Sequence, residues 1–429
     1  MKSQGQQTAI YSQLRSRDFV ERYRQVRSFT QRLCEPLVTE DYVVQSMPDV
    51  SPTKWHLAHT SWFFETFILA PHLPGYVPFD PHFCYLFNSY YVTVGDRHCR
   101  QNRGLLSRPT VEQVYAYRQH VDQHMLRWLA GLDEHQLTEH RSLIDIGLHH
   151  EQQHQELMLT DIKHVFWVNP LRPAYHSRRL DPAASVAPMR WLAFPAGVRE
   201  IGHSGGDFAF DNESPRHKVY LQPFELASRL VTNGEYKQFI ADGGYARPEL
   251  WLSLGWATVQ QEQWRAPLYW IEQEGQWLYH TMSGLRPVED SEPVCQISYF
   301  EADAFARWAG GRLPDEAEWE VASESLPIDG KFADAGFYHP APLNAGDASL
   351  HQMFGDVWQW TRSAYLPYPG FQPPAGALGE YNGKFMCNQF VLRGGSCATP
   401  RSHIRRTYRN FFPPDARWQF TGLRLARDA

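Results

Sequence analysis

The sequence predicts two kinds of structure in one chain, a helical bundle followed by an α+β domain. Residues 16–168 carry apolar side chains at helical spacing. From residue 191 onward, short apolar stretches alternate with Gly, Pro, Asn and Asp, which is typical of an α+β domain with many turns. Residues 169–190 are rich in Pro, Ala and Arg and are typical of a linker. We therefore expect domains at 1–168 and 191–429.

Four helices are predicted in the first domain, and together they favour an antiparallel bundle. The first spans about 18–33, and the second begins at Ser51-Pro52, with Ser51 as the capping residue. A capping box at Thr110 and Gln113 begins the third helix, which reaches about residue 129. The fourth spans about 143–165. The connection 71–109 is too long for a simple bundle loop, and long loops are usually functional.

Composition excludes several classes of protein. Hydrophobic residues are 43% and charged residues 21%, which is ample for buried cores and argues against disorder. The formal charge of −6 argues against a general nucleic-acid binder. No apolar run is long enough to span a membrane, the first residues lack a signal-peptide core, and the six cysteines form no CxxC pair. These features favour a cytoplasmic protein. Aromatic residues (14%) and 20 histidines stand out.

Histidines on two predicted helices form the strongest chemical signal. His150 and His154 are four residues apart, so they lie on one face of the fourth helix, and that face points inward. Buried imidazoles are costly unless their nitrogens find partners, and a metal ion provides one. His59 shares an inward face with Trp55 and completes a three-histidine set. A hydrogen-bonded pair of core histidines is the alternative, and His56 is expected to be a surface or hydrogen-bonded histidine.

Residues 150–154 also match the HExxH pattern of zinc hydrolases, with Glu151 as the general base. The pattern is short enough to occur by chance, and nothing downstream resembles the usual third zinc ligand. Neutral imidazole suits Fe, Zn, Cu or Ni, so the ligand type alone leaves the metal open.

Two further clusters suggest substrate binding. Arg97, Arg100 and Arg103 in the long loop could clamp carboxylates, and the alternative is a solvated basic turn. Phe411 and Phe412 are adjacent in a turn-rich segment, so they cannot both enter one core. One of them could form part of a cage for a quaternary ammonium group, and the alternative is ordinary packing.

Several motifs resemble known families. The segments SPTKWHLAHTSWFFE and HHEQQHQEL are similar to the DinB-like four-helix domain. GRLPDEAEWE, GDVWQWT, RGGSC and GLRLAR resemble the domain of the formylglycine-generating (sulfatase-modifying) enzymes, which has a C-type-lectin-like fold. In this order the two resemble the non-haem iron(II) sulfoxide synthases of ergothioneine biosynthesis and the related selenoneine synthases.

The resemblance implies a metal centre, a reaction and its partners. Fe(II) would be held by His59, His150 and His154. With O2, the enzyme would join a thiol or a selenol to C2 of the imidazole of hercynine, which is Nα-trimethylhistidine. The donor would be cysteine, γ-glutamylcysteine or a selenosugar, so the partners are small molecules. Tyr90 and Tyr91 match loop tyrosines of the family, and one of them would supply a proton or a hydrogen atom.

The resemblance also implies substrate-binding residues. Positions that hold the amino and carboxylate groups of the donor are matched by Asp49, Arg97 and Arg100. The segment that closes over hercynine is matched by Asn410, Phe411 and Phe412. The loop around Cys99 departs from the expected family pattern, which leaves the donor open. A DinB-like thiol S-transferase with a lectin-like binding module is a further alternative.

Overall fold

A computed structural model describes residues 15–177, 186, 188–343 and 349–429. These residues form two compact units. The first contains the described part of Met1–Val168 together with Ser204–Phe210 and Pro373–Tyr381, and the second contains the rest. The predicted linker falls partly on residues 178–185 and 187, which lie outside the described residues.

Four long helices build the first unit, as the sequence predicts. The long helices are α1 (Ser16–Cys34), α2 (Thr53–Phe64), α4 (Val111–Gly131) and α5 (Glu134–Val168), and a short helix α3 (Phe83–Phe87) lies between α2 and α4 in the sequence. Helices α1 and α2 each pack against both α4 and α5, which gives a four-helix bundle. Helix α2 continues through a π-helical turn at Glu65–Leu69 and ends with Ala70–His72.

Two predicted helix starts are wrong for identifiable reasons. Helix α5 begins at Glu134 rather than near residue 143, because Asp133 and Gln136 form a capping box. Helix α2 begins at Thr53, and Ser51 does not cap it. The Ser51 hydroxyl instead accepts a hydrogen bond from Arg103 Nη1 at 2.9 Å.

The second unit consists of small sheets and short helices. Its strands are β1 (Trp191–Phe194), β2 (Gly197–Ile201), β3 (His217–Leu221), β4 (Phe224–Ala227), β5 (Trp270–Gln273), β6 (Gln276–Thr281), β7 (Gly284–Pro287), β8 (Trp358–Ala364), β9 (Phe390–Arg393), β10 (Asn410–Phe412), β11 (Thr421–Gly422) and β12 (Ala426–Asp428). Its α-helices are α6 (Asn233–Ala241), α7 (Ser253–Glu262), α8 (Tyr299–Trp308) and α9 (Glu316–Ala322).

Antiparallel pairing dominates these sheets. The strand orders are β1-β4-β12, β2-β3, β5-β6-β7 and β10-β9-β8-β11, and the β8–β11 pair is parallel. Buried arginines form hydrogen bonds between separate segments of this unit. The Arg424 guanidinium, for example, donates to Gln359 Oε1 and to the backbone carbonyl of Ala227. A helical bundle followed by a sheet-rich domain confirms the predicted fold class.

None of the helices within the described residues combines the length and the apolar character that a membrane crossing requires.

Candidate metal centre

Three histidines of the first unit converge in its core. His59 lies on α2, and His150 and His154 lie one turn apart on α5. All three side chains are buried, and one ring nitrogen from each lies within 4.8 Å of the others. Among the described residues, no other group of three or more His, Cys, Asp or Glu residues has this arrangement.

The ring orientations suit a shared ion. His59 Nδ1 donates to the carbonyl oxygen of Phe87 at 2.6 Å, so its Nε2 keeps a lone pair. That Nε2 lies 3.1 Å from His150 Nε2. Two imidazole nitrogens that each bind one metal ion at about 2.1 Å, at roughly a right angle, are about 3.0 Å apart. The observed separation therefore fits two ligands of one ion.

Burial keeps these imidazoles neutral, which is the form that binds metal ions. It lowers the pKa of His150 to about 3, although the neighbouring Glu151 opposes the shift. Burial, and then the proximity of the other histidines, also places the pKa of His59 and His154 well below 6.5.

Aromatic rings fix the plane of the His59 imidazole. Trp55 stacks on one side of it, with ring centroids 4.5 Å apart and an interplanar angle of 14°. Trp62 stacks at 5.3 Å and 17°. The Arg103 guanidinium lies 3.3 Å from the centroid of the Trp55 ring. Two indoles, four residues before and three residues after His59 along α2, thus stack on its imidazole.

Glu151 is tied to structural partners rather than to the histidines. Its Oε1 accepts from Thr30 Oγ1 at 2.6 Å and from Arg118 Nη2 at 2.5 Å, and its Oε2 accepts from Arg27 Nη1 at 2.8 Å. Burial alone would raise its pKa, but the two arginines lower the pKa of Glu151 to about 2. A carboxylate held in two buried ion pairs is unsuited to the general-base role that a zinc hydrolase requires.

The two predicted loop tyrosines lie in the same unit as the histidines. Tyr90 is half-buried and stacks on the fully buried Tyr91, with centroids 4.6 Å apart. Tyr91 also contacts Trp62 at 5.5 Å and Phe67 of the π-helical turn at 5.2 Å. Burial and the neighbouring Tyr90 phenol raise the pKa of Tyr91 well above 10, so its hydroxyl keeps its proton.

Sequence reasoning missed Tyr381, which packs beside the histidines from a segment late in the chain. Its ring centroid lies 5.9 Å from that of His150, and its hydroxyl donates to Gln153 Oε1. The neighbouring Glu380 accepts from the backbone N–H groups of Val92 and Thr93, just after the two tyrosines. Periodic patterns in a sequence report only local structure. The sequence therefore gives no signal that this late segment packs beside the histidines.

His56 is a hydrogen-bonded histidine, which confirms one of the two expectations for it. It is buried rather than at the surface, and its Nδ1 lies 2.8 Å from His154 Nδ1. Its Nε2 lies 3.0 Å from Asp161 Oδ2. The helical spacing of His56 and His59 in α2, and of His154 and Asp161 in α5, was a signal that these side chains share neighbouring faces.

The residues predicted to bind the donor are exposed at the surface of the first unit. Arg100 donates to the backbone carbonyl of Asp49, and Arg97 donates to that of Ser89 at 2.9 Å. The structure therefore brings Asp49 and Arg100 together and points Arg97 at the tyrosine loop. Arg103 differs from them, because it is buried against Trp55.

The residues predicted to contact hercynine lie on β10 of the second unit, and all three are half-buried. Phe411 stacks on Tyr365, with centroids 4.0 Å apart, and Phe412 contacts Trp418 at 6.3 Å. The Asn410 side chain accepts from the backbone N–H of Phe411. The adjacent phenylalanines thus have different aromatic neighbours, as expected for successive residues of a strand.

Comparison with known proteins agrees with both units. The family model of the sulfatase-modifying factor enzyme 1-like domain matches residues 181–336 and 333–429, and that of the DinB superfamily matches 22–158. The hercynine oxygenase of Mycobacterium tuberculosis is 32% identical over 406 residues, covering 89% of this chain and 92% of that protein. The hercynine oxygenase of Mycolicibacterium smegmatis is 31% identical, covering 90% and 92%.

A third relative is similar to this chain over only part of its own length. Ergothioneine biosynthesis protein 1 of Schizosaccharomyces pombe is 30% identical over 52% of this chain and 28% of that protein. Its name and those of the oxygenases confirm the resemblance drawn from the sequence motifs. Because both family models match in the order seen in the structure, and relatives align over nearly their whole length, the chain belongs to the family of the hercynine oxygenases.

Proposed function

We propose that the chain is an iron(II)- and O2-dependent enzyme of ergothioneine or selenoneine biosynthesis. It would form a C–S or C–Se bond at the imidazole C2 of hercynine. One observation carries the proposal: three buried, neutral histidines converge on one point in a chain that aligns over nearly its whole length with hercynine oxygenases.

His59, His150 and His154 would hold the iron. Three protein ligands leave open positions for substrates, and imidazole is a ligand that iron accepts. Bound iron(II) would supply the redox chemistry that allows O2 to act as the oxidant. With a thiol donor, one hydrogen leaves C2 and one leaves sulfur. One oxygen atom ends on sulfur and the other leaves as water, which balances the reaction as a sulfoxide synthesis.

The two loop tyrosines would move protons near this centre. Tyr91 keeps its proton because it is buried, and the half-buried Tyr90 stacks on the Tyr91 ring. The contact of Tyr91 with Trp62, which stacks on His59, holds the pair close to the ligand set. A protonated phenol in this place is suited to act as a general acid.

Exposed charges and aromatic rings would bind the substrate ends. Arg97 and Arg100 are suited to the donor carboxylate, and Asp49 to its amino group. Phe411 and Phe412 are suited to the trimethylammonium group of hercynine, because aromatic faces attract quaternary ammonium ions.

Reconstitution tests the proposal directly. Purified protein is loaded with Fe(II) without oxygen and then incubated in air with hercynine and each donor in turn: cysteine, γ-glutamylcysteine or a selenosugar. Mass spectrometry should show a C2-substituted product only with both iron and O2. Absence of any C2-substituted product in air with all three donors would contradict the proposal and favour the thiol S-transferase alternative.

Two variants sharpen this test. His59→Ala should abolish iron loading and product formation, because one of three ligands is lost. His140→Ala is the matched control, since His140 lies on α5 with two of the three histidines but pairs with His72 outside the cluster. A His59→Ala protein that still loads iron and forms product would refute the three-histidine centre.

A further inference from the structure

A chain of hydrogen bonds leads from the ligand histidines to a buried carboxylate. His154 Nδ1 lies 2.8 Å from His56 Nδ1, and His56 Nε2 lies 3.0 Å from Asp161 Oδ2. The exposed fraction is 8% for His154, 2% for His56 and 4% for Asp161, so water cannot substitute for these partners. Asp161 Oδ2 also accepts from the backbone N–H of Ser51 at 2.8 Å, which anchors the carboxylate.

The donors and acceptors along these hydrogen bonds determine the tautomers of His56 and His154. A carboxylate can only accept, so His56 donates from Nε2 to Asp161 Oδ2. When that is the one hydrogen on the His56 ring, His56 Nδ1 accepts and His154 Nδ1 is the donor between the two rings. A neutral His154 that carries its hydrogen on Nδ1 keeps a lone pair on Nε2, which is the form a metal ligand needs.

The other two ligands are held differently. The backbone carbonyl of Phe87 fixes the His59 tautomer, and His150 Nδ1 has no hydrogen-bond partner among the described residues. Within the described chain, His154 is thus the ligand whose tautomer is set by side chains.

We propose that His56 and Asp161 are positioning residues of the metal centre: they hold His154 in the tautomer whose Nε2 is available to the ion. Partners of metal-bound histidines fix ring orientation and tautomer in this way. The proposal rests on the metal centre of the proposed function, but its tautomer step can be measured without metal.

Two substitutions of His56 separate hydrogen bonding from packing. His56→Leu has a similar volume and cannot accept from His154 Nδ1. His56→Asn places an amide oxygen near the position of the lost Nδ1 and restores the acceptor. His124→Leu is the matched control, because His124 lies on α4 and also makes a hydrogen bond, to the backbone carbonyl of His120 at 2.8 Å.

Iron affinity is the first readout and is measured by anaerobic titration of Fe(II) against a competing chelator. We expect His56→Leu to weaken binding roughly 10- to 100-fold, the range seen for such outer partners. His56→Asn and His124→Leu should stay within about threefold of the unsubstituted protein. Unchanged affinity in His56→Leu, or equal losses in His56→Leu and His56→Asn, would overturn the proposal.

The tautomer is the second readout and uses the metal-free protein labelled with ¹⁵N-histidine. Long-range ¹H–¹⁵N spectra distinguish Nδ1–H from Nε2–H, and the His154 signals are assigned by their loss in His154→Gln. We expect Nδ1–H in the unsubstituted protein and a mixture in His56→Leu. Nε2–H in the unsubstituted protein would overturn the proposal. If Nδ1–H is found but the protein binds no iron, the positioning step stands and the proposed function fails.

Discussion

Individual side chains decide which chemistry this bundle can support. The HExxH pattern alone leaves a zinc hydrolase and an iron enzyme open, and the residue that separates them is Glu151. Because Arg27 and Arg118 neutralise it inside the core, its charge serves the fold. The sequence predicted from helical spacing that His59, His150 and His154 come together, and the structure confirms it. It could not predict the partner of Glu151, because Arg27 and Arg118 lie on other helices.

Glu151→Gln should therefore lower stability rather than remove a catalytic base. The substitution leaves two buried arginines without their counter-charge, and breaking a buried pair costs about 3 kcal/mol or more. Urea unfolding followed by tryptophan fluorescence measures the loss. Glu139→Gln, at an exposed position on the same helix, should leave stability within about 0.5 kcal/mol. A fully stable Glu151→Gln protein would contradict this account.

Phe411→Ala should raise the KM for hercynine about fivefold. Loss of one cation–π contact costs about 1 kcal/mol, and the KM for the donor should not change. Steady-state kinetics with each substrate varied in turn separates the two constants. Phe194→Ala is the control, because Phe194 is a stacked phenylalanine of β1, away from β10 in the sequence. An unchanged KM for hercynine would remove the cation–π argument.

Secondary-structure elements show where local sequence information is sufficient. The capping box at Thr110 and Gln113 starts α4 where the sequence predicts it. The box at Asp133 and Gln136 starts α5 about nine residues before the predicted start. The π-helical turn at Glu65–Leu69 has no sequence signature, since it depends on tertiary partners: the Glu65 carboxylate accepts from Tyr76 and Tyr117.

Asp133→Ala should destabilise the bundle by about 1 kcal/mol, because the first turn of α5 loses its cap. Asp133→Asn is the matched control and should be nearly neutral, since asparagine caps helices as well as aspartate does. Urea unfolding of both variants at neutral pH provides the comparison. Equal stability of the alanine and asparagine variants would show that the box contributes nothing.

At the scale of the whole molecule, the sequence predicted the order of the two folds but not the full membership of each unit. Ser204–Phe210 and Pro373–Tyr381 belong to the helical unit although the chain places them in its second half. Phe208 of the first segment stacks on His149, with centroids 4.1 Å apart. Contacts between residues this distant along the chain leave no periodic trace, so one sequence cannot reveal them.

The pH dependence of stability is another property of the whole molecule, and a buried cluster of the second unit makes it predictable. Glu292 accepts from Arg286 Nη2 at 2.8 Å and lies 3.0 Å from His339 Nε2. Burial alone would raise the pKa of Glu292, but His339 and Arg286 outweigh it and lower that pKa from 4.5 to about 2. The folded protein therefore favours the ionised carboxylate more strongly than the unfolded chain does.

A depressed pKa contributes stability above the unfolded value of about 4.5, and that contribution is lost as the pH falls toward 2. The shift corresponds to roughly 3 kcal/mol. Glu292→Gln should be less stable than the unsubstituted protein by about this amount at pH 6, and the gap should narrow steadily below pH 4.5. Urea unfolding at several pH values measures the gap, with Glu272→Gln, exposed on β5 of the same unit, as the control. A gap that stays constant from pH 6 to pH 3 would show that the Glu292 side chain stabilises the fold by packing and not by its charge.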